Sequence, residues 1–155
     1  MLNEEIKQAI LELQKLYPVK RSALIPALHL AQKEKGYLPL EIQNEVAKLF
    51  DLDPNEVHSI VTFYDMFYEK PMGKKILHIC KGISCMLKGS DEVIENLCQK
   101  LNIHPGETTQ DKEFTLLPCE CLGACDKAPM ALINHEVVGP LDCNHLEAVL
   151  QNSHG

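Results

Sequence analysis

The cysteines are the residues of this 155-residue chain whose types and spacing most clearly indicate chemistry, and all seven lie in its second half. Cys80 and Cys85 form a C-x4-C pair in CKGISC, and Cys121 and Cys125 form a C-x3-C pair in CLGAC. Cys119 precedes the second pair by two residues. Thiolates at such short spacing can form a disulfide, bind a metal ion or hold an iron–sulfur cluster.

A disulfide framework does not fit this sequence. The number of cysteines is odd, and the first segment, MLNEEIKQAI, carries acidic residues where a secretory signal needs a basic segment and an apolar run. We therefore expect a cytoplasmic protein, in which thiols remain reduced. A thioredoxin-type redox dithiol needs C-x-x-C, and none of these cysteines has that spacing.

The spacing leaves two kinds of metal site. Structural zinc sites favour two to four residues between cysteines, so the C-x3-C pair fits and the C-x4-C pair lies just outside. A [2Fe–2S] cluster is larger than one metal ion and accepts wider loops. The plant-type ferredoxin pattern, C-x4-C-x2-C, is absent because Lys88 stands at its third position. What remains is a ligand set of two cysteines from each of two separate loops, for which a zinc ion is the alternative to a [2Fe–2S] cluster.

Each pair encloses a glycine, Gly82 or Gly123, which permits a tight turn and lets backbone N–H groups approach sulfur. Residues i and i+2 of an extended strand point the same way, so Cys119 is either a neighbour of the site or an alternative to Cys121 as a ligand. The two other cysteines, Cys98 and Cys143, are expected to be structural, since Cys98 lies inside a predicted helix and Cys143 begins another.

Composition and charge narrow the function. Hydrophobic residues at 45% and charged residues at 24% are typical of a soluble globular protein. A net charge of −7 opposes nucleic-acid binding, and no apolar run approaches the roughly 18–20 residues that span a bilayer. No G-x-G-x-x-G or Walker pattern occurs. We therefore expect no flavin or nicotinamide site on this chain.

The first 70 residues show helical periodicity. Apolar residues recur at spacings of three and four in four segments, which predicts four short amphipathic helices near 3–17, 22–36, 40–50 and 53–67. Asn3 and Asp53 are the predicted N-caps of the first and last. We expect the aromatic residues Phe63, Tyr64 and Phe67 to pack in the helical core. The segment YEKPMGKK then marks a boundary.

The second half predicts strands and helices. KILHIC is a buried strand, SDEVIENLCQKLNI is a helix with Ser90 as its cap, and DCNHLEAVLQN is a final helix. EFTLLPCEC and MALINHEVVG are strands, with a turn at 134–136. This order predicts a small α/β sandwich. Both cysteine pairs then follow strands, where one sheet can direct four thiolates toward one point.

Six stretches taken together resemble one known family. They are GYLP, VTFYDMF, the C-x4-C pair, LNIHPGETT, FTLLPCECLGAC and KAP, in this order over nearly the whole chain. They are similar to the thioredoxin-like [2Fe–2S] subunit of NADH dehydrogenases, the 24-kDa type, which is the E-type component of NADH-quinone oxidoreductase (respiratory complex I). The resemblance implies an α+β fold, with a helical bundle domain over 1–70 and a thioredoxin-like [2Fe–2S] ferredoxin domain over 74–152.

The resemblance also implies the site and its function. The cofactor is one [2Fe–2S] cluster, and the residues that match the family's ligands are Cys80, Cys85, Cys121 and Cys125. The chain would be a one-electron carrier without a catalytic site of its own. Its partner would be a flavoprotein subunit that holds FMN and NADH, in the cytoplasmic, peripheral part of a membrane-associated complex, without membrane insertion or nucleic acid.

Three alternatives stay open at this point. The chain could be the equivalent diaphorase subunit of an NAD(P)-linked hydrogenase or an NAD-dependent formate dehydrogenase. It could be a zinc-stabilised interaction module without electron transfer. A regulator that binds DNA through its helical half is opposed by the absence of a concentrated basic stripe.

Overall fold

The computed structural model describes residues 1–142 together with Leu146 and Leu150. The chain divides into two compact units, Met1–Pro71 and Met72–Gly155. The described residues of the first are helical, and those of the second form a four-stranded sheet with helices, which confirms the predicted α+β class. Apart from Asp142, Leu146 and Leu150, the predicted last helix over 142–152 lies outside the described residues.

Four helices form the first unit, and their bounds are α1 (Glu4–Lys15), α2 (Leu24–Lys35), α3 (Leu40–Phe50) and α4 (Pro54–Phe63). A 3-10 turn precedes α2. The predicted caps are confirmed, because the Ile6 N–H donates to Asn3 Oδ1 at 2.7 Å and the Asn55 N–H donates to Asp53 Oδ1 at 2.8 Å. Each bond satisfies a backbone donor that the first helical turn leaves unpaired.

The apolar faces of these helices bury one another in a single cluster. Its fully buried members include one residue from each helix: Ile10, Leu28, Val46 and Val57. The expected packing of the aromatic residues is correct for Phe67, which is buried, and for Tyr64, which packs against the cluster. It is wrong for Phe63, which is 76% exposed. Helix α4 ends at Phe63 and Tyr64 is extended, so helical spacing does not continue through the aromatic residues.

The sheet of the second unit has the order β2-β1-β3-β4. Its strands are β1 (Lys75–Cys80), β2 (Phe114–Cys119), β3 (Ala131–Ile133) and β4 (Glu136–Val138). Strand β1 runs parallel to β2 and antiparallel to β3, and β3 and β4 form a hairpin. The turn predicted inside MALINHEVVG is confirmed at Asn134, which has a φ of 53°.

Two further helices belong to the second unit, the short α5 (Ile83–Leu87) and α6 (Ser90–Leu101). Helix α6 packs its apolar side against one face of the sheet, where Val93 and Leu97 join a core formed by Leu77, Ile79 and Leu116 of β1 and β2. The β1 residues that share this face are two apart, as the pleat of a strand requires. Cys80, one residue after Ile79, points to the other face of the sheet and packs in a separate small cluster at the end of β1.

Two local features differ from the sequence prediction. Helix α5 begins inside the C-x4-C segment, which was expected to be a loop, and continues past Cys85. Ser90 is not the cap of α6: Gly89, with a φ of 90°, occupies the cap position, and Ser90 is the first helical residue. Among the described residues, the buried Ser90 hydroxyl has no hydrogen-bond partner. No helix among residues 1–142, Leu146 and Leu150 is long and apolar enough to cross a membrane.

Candidate metal centre

The parallel pair β1 and β2 ends at two cysteines. Cys80 and Cys119 are register partners in the last row of the ladder. Past this row, the Lys81 N–H donates to the Cys119 carbonyl at 2.8 Å, and the Cys80 N–H donates to the Met130 carbonyl at 3.1 Å. These bonds hold the strand end from both sides, so Cys80 occupies a fixed position at the carboxyl edge of the sheet.

The first pair is buried. Cys80 is 2% exposed and Cys85, on helix α5, is 1% exposed. The turn between them contains Gly82, which precedes the helix in an extended conformation. Helix α5 therefore returns Cys85 toward the end of β1, and both side chains join a cluster with Ala128 and Met130.

The second pair lies on the loop after β2 and is exposed. Residues 120–124 form neither helix nor strand, and a 3-10 turn begins at Cys125. Gly123 has a φ of 82°, a conformation that L side chains adopt at a cost. The resulting turn places Cys121 Sγ and Cys125 Sγ 3.9 Å apart.

The two pairs meet at Gly82. A Cβ atom added to this glycine would lie 3.0 Å from Cys121 Cβ and 3.5 Å from Cys121 Sγ, so the two loops are in direct contact there. The thiols of Cys85 and Cys121 lie near enough to the Cys80 sulfur to lower its pKa. The charge of Cys125 is one of the causes that raise the pKa of Cys85, so these two residues are also near each other. The structure thus brings together the four cysteines selected from the sequence.

Burial and hydrogen bonding act in opposite directions on the two buried thiols. Burial raises the pKa of Cys80, but the backbone N–H groups of Leu122 and Gly82 and the neighbouring thiols outweigh it, so this pKa lies below its ordinary value. The pKa of Cys85 is raised, first by burial and then by its hydrogen bond to Cys80, against a smaller opposing effect of the Met130 N–H. Of the two buried thiols, Cys80 therefore loses its proton more readily than Cys85.

Sequence reasoning identified Gly82 as a source of an N–H group for sulfur, and that N–H is among the groups that lower the pKa of Cys80. It missed the N–H groups of Leu122 and Met130. These donors have no sequence signal, because every residue except proline carries a backbone N–H and only its position relative to the sulfur matters.

The remaining cysteines lie apart from this group or outside the described residues. Cys119 is half-buried, and its thiol donates to the Ile79 carbonyl at 3.7 Å, back along the ladder. Cys98 packs partly buried beside the core of the second unit, and burial raises the pKa of its thiol. Cys143 lies outside the described residues.

The donor set fits a [2Fe–2S] cluster. Four thiols are the usual ligands of this cofactor, and backbone N–H groups directed at sulfur stabilise its negative charge. The missing side chain of Gly82 keeps the contact between the two loops short.

Curated relatives cover most of the chain. An E-type component of NADH-quinone oxidoreductase from Rhizobium meliloti (strain 1021) is 41% identical over 151 residues, which are 97% of this chain and 88% of the relative. The E-type component of the same oxidoreductase from Aquifex aeolicus (strain VF5) is 37% identical over 133 residues, covering 86% of this chain and 83% of the relative.

A solved structure supports the fold independently. The NAD+-reducing [NiFe]-hydrogenase in its air-oxidized state matches 83% of this chain with a TM-score of 0.71 and 28% identity. This chain spans 22% of the length of that hydrogenase chain.

The family comparison covers nearly the whole sequence. The sequence model of the family described as thioredoxin-like [2Fe–2S] ferredoxin matches residues 10–154. This range includes both cysteine pairs and most of the helical unit. The resemblance inferred from the six sequence stretches is therefore confirmed. The chain belongs to the family of thioredoxin-like [2Fe–2S] ferredoxins.

Proposed function

We propose that this chain is the one-electron carrier subunit of an NADH dehydrogenase complex, and that it exchanges electrons with FMN on a neighbouring NADH-binding flavoprotein subunit. The observation that carries the proposal is the convergence of two cysteine pairs at the end of β1 and β2. The parent complex is supported by relatives named as the E-type component of NADH-quinone oxidoreductase. The proposed ligands of one [2Fe–2S] cluster are Cys80, Cys85, Cys121 and Cys125.

The chain's own residues have separate tasks in this function. When bound, the cluster supplies a centre that takes up and releases one electron at a time. The N–H groups of Gly82 and Leu122 stabilise the negative charge on the Cys80 sulfur, and the Met130 N–H does so at Cys85. Cys121 and Cys125 are exposed, so their side of the site is the one that a partner subunit can approach closely.

Helix α5 presents an apolar surface beside the site. Its side chains Ile83, Met86 and Leu87 are 75%, 49% and 78% exposed, while Cys85 of the same helix is buried. We call these three residues the α5 surface. Adjacent exposed apolar side chains are typical of protein–protein contacts. The α5 surface supports a partner bound next to the thiols, where the distance for electron transfer would be short.

A second candidate is the corresponding subunit of a hydrogenase that reduces NAD+. It is favoured by the structural match to the NAD+-reducing [NiFe]-hydrogenase. The greater identity to the relatives from NADH-quinone oxidoreductase favours the first candidate. Isolation of the tagged chain from its native cells, followed by identification of the co-purifying subunits, distinguishes the two complexes.

The cofactor is tested on the full chain purified without oxygen. We expect two irons and two sulfides per chain, a visible absorption that bleaches with dithionite, and a rhombic EPR signal after reduction. A colourless chain that holds one zinc ion, and that stays colourless after anaerobic incubation with iron and sulfide, would contradict the proposal. That result would instead support the zinc-stabilised module.

A further inference from the structure

The two cysteine pairs differ in their access to solvent. Cys80 and Cys85 are buried at the end of β1 and on α5, whereas Cys121 and Cys125 are exposed free thiols. A dissolved oxidant therefore reaches the second pair first. The 3.9 Å between Cys121 Sγ and Cys125 Sγ exceeds the length of a disulfide bond by about 1.9 Å, which a small movement of the loop can close.

The loop that carries the exposed pair is able to make this movement. Residues 120–124 belong to no helix or strand, and the space around Gly123 is open, since no atom beyond its two chain neighbours lies within 4 Å of where its Cβ would be. In contrast, Cys80 is held by the β1 ladder and Cys85 by the helical turn of α5. A disulfide between Cys121 and Cys125 would therefore disturb less of the surrounding structure than one between Cys80 and Cys85.

We propose that Cys121 and Cys125 of the cluster-free chain form an intramolecular disulfide when they react with a low-molecular-weight disulfide such as oxidised glutathione. One of the two thiols, as its thiolate, attacks the dissolved disulfide, forms a mixed disulfide and releases one small thiol. The second thiol attacks the protein sulfur of that mixed disulfide and releases the other small thiol. The protein pair loses two electrons and two protons, and the dissolved disulfide becomes two thiols.

A consequence follows that rests on the proposed function. The disulfide occupies two of the four sulfurs that the cluster needs, so the oxidised chain cannot accept iron and sulfide until a reductant reopens the bond. The exposed pair thereby makes cluster insertion dependent on the thiol–disulfide balance around the chain, while the buried pair stays reduced.

The bond is mapped on the full chain, first reduced and freed of metal without oxygen, then incubated with oxidised glutathione, denatured and alkylated. Cleavage after Lys and Glu separates 114–120, which contains Cys119, from 121–127, which contains Cys121 and Cys125. The same cleavage places Cys80 and Cys85 on different peptides, because Lys81 lies between them. We expect peptide 121–127 to be unlabelled and lighter by two hydrogens, with Cys80, Cys85 and Cys119 labelled.

Other pairings would overturn the proposal. A bond between 114–120 and 121–127, a bond that includes Cys80, or a glutathione adduct as the final product would each do so. The Cys119→Ser variant serves as the matched control and should still give peptide 121–127 with the disulfide between Cys121 and Cys125. Cys125→Ser should stop at a glutathione adduct on Cys121.

Cluster insertion is measured separately as iron bound after anaerobic incubation with iron and sulfide. We expect the oxidised chain to bind less than about a tenth of the iron that the reduced chain binds, with recovery after dithiothreitol. Equal uptake by both forms would overturn the redox dependence of insertion. If the disulfide maps as expected but the reduced chain takes up no cluster, the proposed function fails and the disulfide assignment stands.

Discussion

Gly82 lies against Cys121, since a Cβ on residue 82 would be 3.0 Å from the Cβ of Cys121. These residues are far apart in sequence and belong to different loops, and their contact joins the two cysteine pairs into one site. A side chain at position 82 would therefore push Cys121 away by a few tenths of an ångström.

The Gly82→Ala variant should weaken the cofactor site. The new methyl group must displace Cys121, and overpacking of this kind costs about 1–3 kcal/mol. We expect iron loss to a chelator to be roughly tenfold faster than in the unaltered chain, as about 1.4 kcal/mol corresponds to a factor of ten. The rate is followed by the decay of visible absorption.

Gly106→Ala is the control for that experiment. Gly106 has a φ of 87°, so alanine there strains the backbone. No atom beyond its two chain neighbours lies within 4 Å of its Cβ position, and it is not part of the thiol group. A chelation rate for Gly82→Ala no faster than that of Gly106→Ala would contradict the role of the close contact.

Serine replacements should separate Cys121 from Cys119. Cys121 lies against Gly82 and its thiol lowers the pKa of Cys80, whereas the Cys119 thiol is directed at the Ile79 carbonyl. Cys121→Ser should therefore lose most of its iron or change its EPR g-values, and Cys119→Ser should keep two irons and an unaltered signal. The reverse pattern would make Cys119 the ligand.

A charge on the α5 surface should weaken binding of the flavoprotein partner. Leu87 is 78% exposed, and Leu87→Asp would place a carboxylate in an apolar contact, where it loses hydration without gaining a partner. We expect affinity to fall about tenfold or more, equivalent to roughly 1.4 kcal/mol, in a binding assay with the isolated flavoprotein subunit. The iron content of the variant should be unchanged.

Val137→Asp is the matched control for the α5 surface. Val137 is also an exposed apolar residue of the second unit, at 41%, but it lies on β4 rather than on α5. Equal binding by wild type and Leu87→Asp would remove α5 from the interface. Equal weakening by both variants would show an unspecific effect of added negative charge.

Loss of the Asp53 cap should destabilise the helical unit. Its carboxylate accepts the Asn55 N–H at 2.8 Å, and removal of such a cap costs about 1 kcal/mol. We expect Asp53→Ala to lower the urea midpoint of unfolding followed by circular dichroism. Asp53→Asn keeps an acceptor and should retain most of the stability; an equal loss in both variants would point to the charge rather than the hydrogen bond.

Local features were the ones that the sequence predicted best. Asn3 and Asp53 cap helices as expected because a cap depends on residues within one turn. The capping position at Gly89 was missed, since Gly89 and Ser90 are both plausible at such a point and only the packing of Ser90 into the interior decides between them. Phe63 has the same apolar character as Phe67, and its exposure depends on where the chain leaves the helix.

The sequence by itself determined the chemistry that this chain can perform: the two cysteine pairs, their glycines, and the family whose motifs surround them. The tertiary structure decided which thiols are buried, which are exposed and which backbone N–H groups reach sulfur. The reason is physical. Spacing limits what neighbouring residues can bind, but the distance between Gly82 and Cys121 depends on the pairing of strands β1 and β2, whose register is a property of the whole sheet.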